Sequence, residues 1–211
     1  MPEVKTFTFN PFQENTYVLY DETAECVIID PGCYTPEEKQ ELEDFIFEKK
    51  LKPVKLLLTH AHIDHILGNN FVTGKYPIKI EMNEHDVKLL KVALTYGELW
   101  GIHCEPSPEP TVLLKEGNVV HFGNTNLEVL FTPGHSAGSI CFYNREHDFV
   151  IGGDVLFYES IGRTDLPGGD HPTLIRSITE KLFPLGDACT VYPGHGPHTT
   201  IGHEREHNPF L

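Results

Sequence analysis

Thr59-His60-Ala61-His62-Ile63-Asp64-His65 decides the reading of this chain. It follows Val54–Leu58, an apolar run broken only by Lys55, which reads as a buried strand. Residues two apart on an extended segment point the same way, so His60 and His62 share a side as the chain leaves the strand. Asp64 and His65 come where the chain turns into a helix, and they address a second position nearby. One loop therefore offers two pairs of metal ligands to two adjacent ions. Chance places such a pattern in roughly two shuffled chains per thousand of this composition, which makes it a strong motif.

The composition around the loop narrows the function. The chain has 211 residues, with 16 Lys+Arg against 31 Asp+Glu, a net charge of -15 and 13 histidines. Clustered Lys and Arg are what phosphate backbones and anionic membranes require, so neither nucleic acid nor a membrane surface is expected as partner. Histidine, abundant here, is the commonest protein ligand for transition metals. The length suits one domain, taken as residues 1–211. Cys26, Cys33, Cys104, Cys141 and Cys189 are odd in number and widely spaced, and they read as reduced thiols. The N-terminus lacks a basic segment followed by an apolar stretch, and no apolar run reaches the ~20 residues of a membrane span. A cytoplasmic protein is expected.

Two pairs of ligands do not complete two sites, because zinc takes three or four N, O or S donors and a catalytic site keeps a position for water. Three later turns supply the rest. They are Thr132-Pro133-Gly134-His135, Ile151-Gly152-Gly153-Asp154 and Val191-Tyr192-Pro193-Gly194-His195. Each ends a β-rich run, and glycine lets the backbone turn tightly enough to aim a short side chain. Asp154, with two oxygens, is the natural bridge between ions. Asp30 reads as a turn residue or a support for the ligands, and Thr59 as a support.

Strand patterning places Val4–Phe9, Thr16–Tyr20 and Glu25–Asp30 ahead of a helix whose capping box is Thr35-Pro36-Glu37-Glu38. A short helix start is expected over Asp64–Phe71 and a strand over Ile78–Met82. Asn83 should cap a helix reaching Leu94, and Glu105–Pro110 reads as a loop. Strands follow at Leu127–Phe131, Ile140–Tyr143 and Phe149–Ile151, then a helix over Pro172–Phe183 and a strand at Thr190–Tyr192. Two β-rich halves, each followed by helices, suggest two sheets covered by helices.

The chain resembles the metallo-β-lactamase-fold superfamily, and within it the glyoxalase II-like (hydroxyacylglutathione hydrolase-like) branch. The resemblance rests on Asn15-Thr16-Tyr17, Ile29-Asp30-Pro31-Gly32, Thr59–His65, Pro133–Ser139, Gly153-Asp154, Gly162-Arg163-Thr164-Asp165 and Pro193-Gly194-His195-Gly196. It implies an α/β fold, an αββα sandwich of two mixed β-sheets flanked by helices, with a dinuclear metal site. It puts His60, His62 and His135 on one ion, Asp64, His65 and His195 on the other, and Asp154 between them. Zinc is the expected metal, with iron or manganese as alternatives.

The activity so implied is hydrolysis of a small thioester or ester by a metal-bound hydroxide, which Asp64 helps to orient and the ions generate near neutral pH. Arg163 lies in a loop where the branch carries a basic residue for the glutathione moiety. Arg163 and, beside it, Tyr158 are therefore candidate substrate residues, and the substrate is expected to be anionic. A salt bridge from Arg163 to Asp165 is the plain alternative. Two features depart from the branch. Thr164-Asp165 replaces an aromatic residue, and the short tail from His195 to Leu211 leaves no room for the helical C-terminal domain of glyoxalase II. The compact members of the branch are the better match. The rival reading is a persulfide dioxygenase-like oxidoreductase with mononuclear iron. An exported β-lactamase and an RNA-cutting nuclease fit less well, given the missing signal peptide and the acidic surface.

Overall fold

Two neighbouring parallel strands carry the histidine loop to its place. In the computed structural model, which describes residues 2–211, β3 (Glu25–Ile29) and β4 (Lys52–Leu57) run side by side with Ile29 opposite Leu57. Asp30 leaves the end of the first and Leu58-Thr59-His60 the end of the second, and the Asp30 N–H donates to the Leu57 carbonyl at 3.0 Å. Carboxyl ends of adjacent parallel strands are where open α/β sheets place their ligands.

The chain divides into two compact units, residues 1–113 with 121–125, and residues 114–120 with 126–211. The first is built on a mixed six-stranded sheet in the order β1 (Glu3–Phe9), β2 (Glu14–Tyr20), β3, β4, β5 (Ile80–Asn83), β6 (Val112–Leu114). Antiparallel pairing joins β1, β2 and β3, and parallel pairing joins β3, β4 and β5. Helix α1 (Pro36–Glu48) forms as the capping box requires. Thr35 accepts from the Glu38 N–H, and Glu38 Oε2 accepts from the Thr35 N–H. Its stripe of Leu42 and Ile46 packs on Val18, Ile28 and Leu56. Helix α2 spans Asn69–Lys75.

Asn83 is a cap, but of a short 3-10 turn over Glu84–Asp86, where its side chain accepts from the His85 N–H. Helix α3 then runs over Val87–Trp100, past Leu94, until Gly101 takes a left-handed φ of 69°. Tyr96 and Trp100 sit four apart on one face with ring centroids 5.9 Å apart, a pairing that carries the helix on by another turn.

The second unit centres on a sheet in the order β14 (Thr199–Thr200), β13 (Thr190–Pro193), β10 (Phe149–Gly153), β9 (Ile140–Asn144), β8 (Thr125–Phe131), β7 (Val119–Phe122). β10 and β13 pair parallel, and β13–β14, β9–β10 and β8–β9 antiparallel. A small hairpin pairs β11 (Leu156–Phe157) with β12 (Ser160–Ile161). The expected helix over Pro172–Phe183 is three pieces: α4 (His171–Ser177), a π turn over Ile178–Leu182 and a 3-10 turn over Phe183–Leu185. Pro184 has no N–H to continue an α-helical ladder. Helix α5 (Ile201–His207), β14 and the hairpin strands are too short to leave a readable period. Leu174, Ile178 and Ile201 pack on Leu130, Val150 and Val191.

Both sheets are mixed and flanked by helices, as the sequence led us to expect. No helix of the described residues is long and apolar enough to cross a membrane.

Candidate metal centre

In the first unit, parallel pairing of β3 with β4 lets one carboxylate orient two histidines. Asp30 Oδ1 accepts the Thr59 N–H at 2.7 Å, and Oδ2 accepts Thr59 Oγ1 at 2.5 Å and His65 Nδ1 at 3.1 Å. Having given its proton to Asp30, the Thr59 hydroxyl is left to accept from His60 Nδ1 at 3.0 Å. Each Nδ1 thus carries the proton, which leaves Nε2 of His60 and His65 as the ligand atom. These contacts are those that supporting roles for Asp30 and Thr59 require. Asp30, His60 and His65 do lie close enough to be taken for a ligand group. The Asp30 oxygens already accept three hydrogen bonds, so we assign Asp30 to orientation.

The rings of His60 and His62 are 4.8 Å apart, those of His60 and His65 4.1 Å, and His65 Nε2 lies 3.7 Å from Asp64 Oδ2. The motif brings its four candidate side chains close together. Its backbone is tied from outside: Asp86 Oδ2 accepts the Ala61 N–H at 3.1 Å, and Asn10 Nδ2 donates to the carbonyls of Asp64 and Gly32 at 3.0 Å each. Gly32 is needed here, because a Cβ would press on Glu14 Oε2, Asn10 Nδ2 and the Asp64 carbonyl.

Asp86, Asn10 and Glu14 were not anticipated, since single polar residues outside a motif carry no periodic signal. Glu14 is the most unusual of the three. It is fully buried, with Oε2 2.9 Å from Thr16 Oγ1 and Oε1 3.8 Å from His65 Nδ1. Burial pushes its carboxyl well above the usual range, against the pull of His65.

In the second unit, Asp154 and His195 leave the ends of the parallel strands β10 and β13, tied by Gly194 N–H to Gly153 carbonyl at 2.8 Å. His135 follows β8 in a turn where Gly134 has φ 134° and packs against the Leu174 backbone. His135 Nε2 is 3.5 Å and His195 Nε2 3.6 Å from Asp154 Oδ2. Two atoms bound at about 2.1 Å to one tetrahedral ion lie about 3.4 Å apart, so these spacings suit metal ligands better than hydrogen bonds. His135 Nδ1 donates to the Arg163 carbonyl at 2.8 Å, which again presents Nε2. The donor set, imidazole nitrogens with carboxylate oxygens, fits divalent zinc, iron or manganese.

Arg163 thus serves through its backbone, a role no sequence pattern announces. Its exposed guanidinium makes a two-pronged pair with Asp165, both contacts 2.7 Å, which holds the Asp165 carboxyl down at about 2. Tyr158 is exposed, its ring stacked on His203 at 4.9 Å. The five cysteines lie outside disulfides, and burial pushes the Cys26, Cys33 and Cys189 thiols up to about 12, which suits packing and not nucleophilic attack.

Comparison with known proteins points to one superfamily. The family model described as "Metallo-beta-lactamase superfamily" matches residues 9–195. "Probable metallo-hydrolase YqgX" of Bacillus subtilis (strain 168) is 41% identical over 203 residues, covering 95% of this chain and 93% of the relative. "Hydroxyacylglutathione hydrolase GloC" of Haemophilus influenzae is 36% identical over 202 residues, covering 95% and 93%. Among solved structures, BLEG-1 B3 metallo-beta-lactamase superposes with a TM-score of 0.91 at 38% identity, covering 99% of each chain. TTHA1623 in a di-iron-bound form gives 0.89 at 38% identity, covering 99% of this chain and 100% of the other.

Proposed function

The chain belongs to the metallo-β-lactamase superfamily, and from that premise we propose that it hydrolyses small anionic thioesters or esters of the hydroxyacylglutathione type. Its superfamily fold and its His/Asp ligand groups are those of a metallo-hydrolase. The finer reading is ours. His60, His62 and His135 hold one ion, Asp64, His65 and His195 hold the other, and Asp154 is shared.

The observation that carries this reading is Asp154 Oδ2 facing two imidazole Nε2 atoms at 3.5 and 3.6 Å. A carboxylate shared between two ions needs such neighbours. When bound, divalent ions supply Lewis acidity and bring the pKa of a coordinated water towards ~7. The chain does the rest by position. Asp30 and the Arg163 carbonyl fix the imidazole tautomers, and Asp64 orients the attacking water. Arg163 is placed to exchange Asp165 for a substrate carboxylate, a swap between like groups at an exposed site. The likeness to GloC supports the substrate class. Five cysteines outside any disulfide support a cytoplasmic setting.

A second reading, an iron oxidoreductase of the persulfide dioxygenase type, gains support from the iron-bound structural neighbour. The likeness to BLEG-1 adds a β-lactam to the substrates worth testing. The deciding experiment is metal content of protein purified without added metal, measured beside turnover of S-lactoylglutathione and a chromogenic β-lactam. Thioester turnover with two ions per chain is expected. Stoichiometric iron with oxygen uptake on glutathione persulfide overturns the hydrolase reading, and preferential β-lactam cleavage overturns the substrate class.

A further inference from the structure

A second group of metal-ligating side chains lies where helix α5 meets the tip of the β11–β12 hairpin. His203 and His207 are four apart on α5, so they share one helix face, with ring centroids 4.8 Å apart. Against that face the hairpin tip presents Glu159, whose Oε1 is 3.1 Å from His203 Nε2. The tip is built and not merely adjacent. Glu159 holds a left-handed φ of 51°, and its N–H donates at 2.9 Å to Oε2 of the fully buried Glu204. Glu204 is fixed in turn by Thr199 Oγ1 and Asn208 Nδ2. The Tyr158 ring stacks on His203 with an interplanar angle of 15°, which sets the plane of the imidazole.

Two imidazoles and a carboxylate with solvent-reaching heads are a transition-metal donor set. The side chains of His203, His207 and Glu159 are 30%, 56% and 46% exposed, and Glu206 adds a carboxylate 3.7 Å from His207 Nε2. A net charge of -15 draws cations to the surface.

We propose that His203, His207 and Glu159 form a surface site for one divalent transition-metal ion. The ion takes the place of the His203–Glu159 contact, and His207, on the last turn of its helix, turns onto it. Positions of the i, i+4 type on a helix chelate because the helix itself holds the two rings together, so little side-chain freedom is lost on binding. The site stands on its own residues and does not depend on the activity proposed above.

The test uses the full chain saturated with zinc and freed of excess ion. Titration with Ni2+ is followed by calorimetry and by paramagnetic broadening of amide resonances. The expected result is about one further ion per chain, with broadening centred on residues 158–160 and 201–208. The double variant His203→Gln/His207→Gln abolishes that uptake, Glu159→Gln weakens it, and circular dichroism is unchanged in both. No further ion in the native chain, equal uptake by the double variant, or broadening centred on other histidines overturns the proposal.

Discussion

The Asp30 carboxylate accepts the His65 Nδ1 proton at 3.1 Å, and the same oxygen accepts the hydroxyl of Thr59, which itself receives His60 Nδ1. One buried acid thereby sets the tautomer of two proposed ligands, on a residue whose own φ is 49°. Parallel pairing of β3 and β4 makes this possible, because their ends lie side by side.

Asp30→Ala should weaken metal binding about 10- to 100-fold, the usual cost of losing a group that orients a ligand. Competition with a chromogenic chelator measures it. Thr59→Val should weaken binding less, since His65 keeps its partner. Unchanged affinity in Asp30→Ala would remove Asp30 from the site.

His60→Ala should abolish turnover with little loss of fold, because the role proposed for this ring at the end of a strand is ligation and not core packing. Turnover and circular dichroism on the same preparation check both halves. Full activity in the variant refutes the ligand assignment.

Gly162→Ala tests the second half of the ligand set. A Cβ there would collide with the Asp154 carbonyl and stand 3.2 Å from His135 Nδ1. Overpacking of this kind costs about 1–3 kcal/mol, read by urea unfolding, and metal affinity should fall with it. Gly74→Ala, in α2 with open space around it, is the control and should gain about 0.5–1 kcal/mol.

Glu14 gives a pH signature in chelator-treated protein. Its folded pKa lies well above the ordinary 4.5 because burial disfavours the charge. Between those two values the folded chain keeps a proton that the unfolded chain has released. Stability therefore falls as pH rises through that window, and levels off above the folded pKa. Glu14→Gln removes this slope, so its stability relative to the native chain should grow as pH rises above 4.5 and level off above the raised folded pKa. Parallel pH profiles of the two proteins would contradict the buried-acid picture.

The candidate ligands, the contacts expected of Asp30 and Thr59, and most of the longer strands are legible in the sequence, because those features are local. Two-residue spacing aims His60 and His62 to one side, a capping box starts α1, and glycine turns follow β-rich runs. The groups that hold those side chains in place emerge with the fold. Asp86 is 25 residues from Ala61, Asn10 is 54 from Asp64 and Arg163 is 28 from His135. Such pairs are made by strand order and turns, and each partner is an ordinary polar residue in its own segment. The carbonyl of Arg163 is the plainest case, since a backbone acceptor is present at every residue and only the fold chooses which one meets an imidazole.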